Sequence, residues 1–482
     1  MEIIGSLILS LTQSILFYGK QIGISMLIFE IVCNGIILFV LNKKEKIQNK
    51  AGLWLMVPIV LLSSTYFVFA NRTFYVANIF VIFALNFIMY VILTNQKGTL
   101  TNYLYKTGLL FTDTVGEWKD GLKLSKEVVN EHLSVKKKTV NFKKIAKSVL
   151  IVCVVVGIVL ILLSSADSIF ANLFSGIGRI FTHINTANIF NLILRIVIMV
   201  MVYFLFLSFI LKVQDEFEED EYRREVKDTF TIKMLLVTLN IVYLVFCFIQ
   251  IQSLFAKINI QNSFDYANYA RSGFFQLMFV SFINLAVILI SNRYNAKKEK
   301  NIKILNLMLV VFTIIIAISS MYRMHMYEME YGLTYLRMFV YIILITEIIA
   351  FIPIVKYILD DKFDFMKWCF GICIGAYCVA NLMNIENIIV SRNLTRESIR
   401  SIDYNYLSNI ASEDSYIILE DKLQDQNIDL KEETAIENIL INIRKNEKTL
   451  SWQEFNISKM RIQKRRTNIR QKIEETYNLD YE

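Results

Sequence analysis

Proline is almost missing from this sequence. Of 482 residues only Pro58 and Pro353 are proline, and both fall inside apolar runs. There they mark no linker, because a membrane bundle re-satisfies the backbone groups that a proline frees. Histidine is as sparse: His132, His183 and His325 lie far apart. None has the spacing of a zinc motif, so neither a metal nor a cofactor is expected. The six cysteines, Cys33, Cys153, Cys247, Cys369, Cys373 and Cys378, all sit within apolar runs, which argues against a disulfide framework. No phosphate-cradling glycine loop, no G-x-S-x-G elbow and no dinucleotide fingerprint occurs, so no catalytic residue is assigned. Apolar residues, by contrast, make up 55% of the chain. With a mean hydropathy of +0.46, the main solvent of such a chain is lipid.

A bilayer core needs about 17 to 25 residues of apolar helix. Eleven runs of that kind, bounded by charge, divide residues 1–383: Ile3 to Tyr18, Gly23 to Leu41, Gly52 to Ala70, Tyr75 to Leu93, Ser148 to Ser164, Ile189 to Leu211, Met234 to Leu254, Gly273 to Ile290, Leu305 to Met321, Met338 to Val355, and Trp368 to Met383. The first is short and has no basic flank before it, the mark of a signal-like or half-inserted segment. The expected fold is therefore all-α, a polytopic transmembrane bundle, followed at 384–482 by a helical extramembrane domain. In that tail Ser451 and Glu454 form a capping box ahead of a helical run from Phe455 to Tyr477. Ile417, Ile418, Ile436, Ile439, Leu440 and Ile443 supply its apolar faces.

Lysine and arginine crowd into alternate loops, those after Leu41, Leu93, Leu211, Ile290 and Val355. The other loops carry only Lys20, Arg72, Arg179, Lys257 with Arg271, and Arg323 with Arg337. Cytoplasmic loops retain basic residues, so this asymmetry places the N-terminus inside and the tail outside the cytoplasm. Between the fifth and sixth spans, apolar residues from Ile169 to Ile184 recur at helical spacing behind Asp167 as N-cap. That pattern predicts an amphipathic helix lying on the outer surface. The lysine-rich connection from Thr94 to Lys147 suits the anionic inner leaflet.

Charge inside a span is costly and marks candidate sites. Glu30 and Arg195 fall at similar depth below the outer face, with Glu347 slightly deeper, an acid-base-acid cluster that either glues helices or serves a proton or ion pathway. Gln250, Gln252 and Asn284 read as interhelical hydrogen-bonding groups, and Gly371 with Gly375 as a close-approach face. A second set gathers on the outer side by topology alone: Asp167, Tyr269, Arg271, Tyr322, Arg323, Tyr327, Arg337, Glu386, Arg392 and Asn393. It serves either to bind a ligand or to dock the tail. The run from Lys459 to Lys472 holds seven basic residues and no acid, a solvated face or a grip for an anionic lipid or polymer. Nucleic acid is not expected, because acids outnumber bases over the tail as a whole.

Several phrases belong together: Leu163-Ser-Ser-Ala-Asp167, Tyr266-Ala-Asn-Tyr-Ala-Arg-Ser-Gly-Phe-Phe275, Tyr322-Arg-Met-His-Met-Tyr327, Tyr331-Gly-Leu-Thr-Tyr-Leu-Arg337, Asn384-Ile-Glu-Asn-Ile-Ile-Val-Ser-Arg-Asn-Leu394, Ile402-Asp-Tyr-Asn-Tyr-Leu407 and Ser451-Trp-Gln-Glu-Phe-Asn-Ile-Ser458. From about Ser164 to Ser458 the chain resembles the bacterial membrane family of domain of unknown function 4173, a relative of family 4153. The resemblance implies a fold and a place in a bacterial cell membrane, and no activity. Asn268 and Ser272 depart from it, standing where that family more usually has an acidic and a basic residue. Three functions remain in order: a structural or sensory envelope protein whose outer face binds a partner, a transporter or channel for a small ion or solute, and a membrane-embedded envelope or lipid-handling enzyme.

Overall fold

Long apolar runs dictate helices, since in lipid every backbone N–H and C=O must be satisfied within its own segment. The computed structural model describes residues 1–71, 73–96, 98–116, 186–214, 229–255, 263–295, 299–396, 402–425, 428–445 and 451–465, without the side chains of 186–190, 250–275 and 445. Among the described residues there are helices and no strands, so the protein is all-α. The helices are α1 (Glu2–Phe17), α2 (Ile24–Lys43), α3 (Met56–Val68), α4 (Tyr75–Thr94), α5 (Leu100–Gly116), α6 (Thr186–Lys212), α7 (Thr229–Phe255) and α8 (Ser263–Tyr294). There follow α9 (Lys300–Tyr331), α10 (Tyr335–Leu359), α11 (Phe365–Leu382), α12 (Ile385–Thr395), α13 (Tyr404–Ile410), α14 (Tyr416–Leu423) and α15 (Leu430–Lys445).

Nine helices among the described residues are long and apolar enough to cross a membrane. They coincide with nine of the eleven expected spans, and this is a multi-pass membrane protein. The first expected span is α1, whose 16 residues fall short of the rest. The fifth, Ser148 to Ser164, lies outside the described residues, as do Asp167 and the amphipathic helix behind it. The third span starts with a 3-10 turn, Lys50–Leu55, capped by Asn49, whose side chain accepts from the Ala51 N–H at 3.1 Å.

The described residues fall into two compact units, within 1–20, 31–47 and 108–215, and within 21–30, 48–107 and 216–482. In the first, α1 packs against α6. Ser6, Ser10 and Ser14 line the buried face of α1 at four-residue spacing, small side chains that let a second helix come close. In the second, α9 is the hub, with α7, α8 and α10 against it, while α10 meets α11, α11 meets α3, and α3 meets α4. Leu236, Ile288, Ile302, Leu309, Val310, Phe351, Ile354 and Ile358 form its apolar centre. Outward-facing apolar side chains such as Val311, Ile318, Ile345 and Ile352 are exposed, as contact with a lipid bilayer requires. Gly371 and Gly375 open onto no atom within 4 Å, so no other described helix uses that face for close approach.

The tail has a core of its own. Val390 and Leu394 of α12 pack with Leu407, Tyr416, Leu419, Ile436, Ile439, Leu440 and Ile462, while Ile417, Ile418 and Ile443 lie at its edge. The capping box at Ser451 and Glu454 is present, but it opens a single 3-10 turn, Trp452–Glu454. The helical run restarts at 457, where Asn456 accepts from the Lys459 N–H at 3.2 Å.

Candidate functional site

Helix α9 has 32 residues, about 48 Å of helix against a hydrocarbon core of about 30 Å. Its last turns therefore extend past the expected span, and the phrase Tyr322 to Tyr327 is helical. The helix stops at Gly332, whose φ of 80° is open to glycine and strained for other residues. Space demands glycine as well: a Cβ there would lie 2.2 Å from Asn393 Oδ1. Thr334 then caps α10, accepting from the Arg337 N–H.

Helix α12 clamps this turn. Asn393 Oδ1 accepts from the Leu333 N–H at 2.9 Å while its Nδ2 donates to the Leu333 carbonyl at 2.8 Å. One side chain thus satisfies both backbone groups of a buried residue. Arg396 donates to the Glu330 carbonyl at 3.2 Å. Arg337 donates to the Gly332 carbonyl and lays its guanidinium 4.2 Å from the centre of the Tyr327 ring. Arg392 lies 3.4 Å from Glu328, whose other oxygen accepts from the Tyr341 hydroxyl at 2.8 Å. Leu333, Met338, Ala380, Ile385 and Ile389 seal the turn with apolar contact.

At the start of α12, Glu386 is fully buried. Its carboxyl accepts from the Ser412 N–H at 2.6 Å, the Ser412 hydroxyl at 2.7 Å and the Ser415 hydroxyl at 2.6 Å. Burial pushes its pKa up to about 7, against the pull of those donors. Nearby, the tail finishes the ends of the spans. Asp414 accepts from the Ala70 and Asn71 N–H groups, and Asn456 donates to the carbonyls of Tyr66 and Phe69. Between these contacts lies a cavity of about 390 Å³, lined by Asn71, Tyr75, Asn78, Asn381, Asn384 and Glu454 among others, a size that suits a small ligand. Asn78 donates to Asn381 at 2.7 Å and accepts from the Tyr377 hydroxyl at 2.6 Å.

Of the outer-face set, Tyr327, Arg337, Arg392 and Asn393 come together at the α9–α10 turn, and Glu386 sits at the other end of α12. Tyr322 is exposed on α9 and Arg323 is buried on it. Tyr269 and Arg271 lie in α8, their side chains outside the described residues, as Asp167 is altogether. Glu328, Asp414, Ser412, Ser415 and Asn456 were not anticipated. Glu328 carried a signal, an acid one residue beyond the phrase ending at Tyr327, and Asn456 lies within the Ser451 phrase; Ser412, Asp414 and Ser415 look like ordinary tail polar residues. Within the spans, Glu30 accepts from Asn86 at 2.8 Å, Glu347 accepts from the Ser281 hydroxyl at 2.8 Å, and Arg195 donates to Ser14 at 2.8 Å beneath the Tyr18 ring. Asn284 donates to Thr313 at 3.1 Å. In the basic run, Lys459 donates to Gln21 and Arg465 pairs with Glu420 and Asp421, so part of its charge is spent inside the fold.

The family described as Domain of unknown function (DUF4153) matches residues 56–421. This corrects the expected assignment to family 4173. That assignment drew on short phrases from about Ser164 onward, whereas the match begins far earlier, at the third span, and ends before the Ser451 phrase. No curated protein matches the chain, and no solved structure does.

Proposed function

The chain belongs to the family described as Domain of unknown function (DUF4153), and on that footing, which brings no activity with it, we propose a structural or sensory role in the envelope of a bacterial cell, with a partner-binding outer face built by the tail. One observation carries the reading: the tail supplies backbone partners to the span ends, through Asp414 at Ala70 and Asn71 and Asn456 at Tyr66 and Phe69. The Asp414 bonds are charge-assisted and among the stronger ones, and with those of Asn456 they hold the tail as a platform. Among the described residues of the tail, Trp452 and Leu430 are 59% and 75% exposed, open to a partner. The reading places the platform outside the cytoplasm, in line with the basic asymmetry of the loops.

The test is photo-crosslinking in intact cells from a benzophenone amino acid at position 430 or 452. Both positions are expected to yield the same discrete adduct, lost in the Asp414→Ala/Asn456→Ala double variant at equal protein level. Absence of an adduct, or one indifferent to the double variant, overturns the reading.

A further inference from the structure

Helices α7 to α10 carry more buried polarity than packing asks for. On α9, Asn306, Thr313 and Ser320 recur every seven residues, two turns apart on one face, and all are fully buried. On α8, Ser281, Asn284 and Ser291 face them, with Asn284 donating to Thr313 and the Ser291 hydroxyl donating to Asn306 Oδ1 at 2.6 Å. Asn240 of α7 reaches the Leu305 carbonyl at 3.2 Å. The result is two polar layers, one at Glu347, Ser281, Asn284 and Thr313, the other at Asn240, Ser291 and Asn306. They lie about 10 Å apart along the helices, and Ile288, Leu309 and Val310 fill the gap.

Interhelical hydrogen bonding accounts for the satisfied atoms of these layers. It leaves others over. Glu347 Oε1, Asn284 Oδ1, Asn240 Oδ1 and Asn306 Nδ2 are buried without a partner among the described residues. Native structures hold few such atoms, and each asks for a reason. Three of the four are oxygens. Glu347 stands at the centre of α10 and is 5% exposed, and Ser281 is its one polar partner among the described residues. Among the described residues, the titratable groups buried on the packed helices are Arg323 and Glu328 on α9, Cys247 on α7 and Cys378 on α11, while α8 turns hydroxyls and amides inward. A carboxyl at the middle of a span, beside hydroxyl and amide oxygens, is the donor set of a hard monovalent cation or a proton.

We propose that α7 to α10 form a pathway for a proton or sodium ion, with Glu347 as the group that takes it at mid-span and Ile288, Leu309 and Val310 as the dry barrier that holds it closed. Transport sites near the bilayer midplane and gating by apolar constrictions are both established ways of moving ions. The inference is independent of the role proposed for the tail, whose contacts lie elsewhere in the fold.

The full-length protein is reconstituted in vesicles containing a pH indicator or a sodium indicator, and a potassium diffusion potential is imposed with valinomycin. A pH change in choline medium assigns the proton, and a sodium signal in sodium medium assigns sodium. Glu347→Gln is expected to bring either signal down to the rate of protein-free vesicles with its thermal midpoint retained, while Glu347→Asp keeps part of it. Val310→Asn, which wets the barrier, is expected to raise it and decides the matter if Glu347→Gln fails to fold. Wild-type flux no faster than in protein-free vesicles in both media overturns the pathway. So does a flux that neither Glu347→Gln nor Val310→Asn changes.

Discussion

Gly332 is the residue on which the α9–α10 turn depends. Its φ of 80° and the 2.2 Å approach of Asn393 Oδ1 act together, because Asn393 is pinned by its two bonds to Leu333 and has nowhere to retreat. Gly332→Ala is expected to lower stability by roughly 1 to 3 kcal/mol, the strain of a non-glycine residue in that region. Thermal unfolding in detergent reads it, and an unchanged midpoint would mean the turn relaxes at no cost. At this scale the sequence was uneven. The buried acids Glu30 and Glu347 were legible, since a carboxyl inside an apolar run stands out. Their partners Asn86 and Ser281 were not, because an amide or hydroxyl in a span carries no such contrast and pairs through packing that only the folded bundle defines. Asn393 showed as a member of the outer-face set, and its grip on Leu333 is a matter of geometry.

Among the elements, span ends were only partly legible, α8 beginning ten residues before its expected span, whereas the existence of nine of the eleven expected spans was legible, because length and hydropathy decide it. The reach of α9 beyond its span was not: the polar stretch after Met321 ends the apolar run without ending the helix, and the true stop comes from Gly332. Likewise the Ser451 box predicted a helix start and gave a 3-10 turn, a difference of local geometry that capping chemistry does not distinguish. Helix α12 is the element whose docking titrates. Glu386 has its pKa raised from 4.5 to about 7 by burial. Between those values the folded protein holds a proton that the unfolded chain has released, so the contribution is full below about pH 4.5 and is lost as pH rises to about 7. Glu386→Gln stays uncharged throughout and should flatten this part of the profile. The check is the thermal midpoint of both proteins from pH 4.5 to 7.5; parallel curves would exclude Glu386 as the source.

For the whole molecule, the asymmetry in basic loops alone predicts the side of the tail, because the packing of α12 to α15 with the spans of their unit is the same on either side. An alkaline phosphatase fusion after Leu407 is expected to be active and a fluorescent protein fusion there dark. The reverse pattern would invert the topology. The likeness to a family was legible in phrases near span ends, and the choice between related families was not, because those phrases start at about Ser164 whereas the match starts at residue 56.

Segments more than 400 residues apart also meet. The Gln21 N–H donates to Glu454 at 2.8 Å, the Ile24 N–H donates to the Phe455 carbonyl at 3.2 Å, and a Cβ on Gly23 would lie 2.7 Å from that same backbone. A ribosome delivers these partners more than 400 residues apart, so the connection ahead of α2 meets residues 454–455 only after the intervening spans have been made. This contact is thus a late step of assembly. A chain cut before residue 454 would keep the nine spans of the described residues and lack this contact, and faster turnover by membrane proteases would reveal the loss.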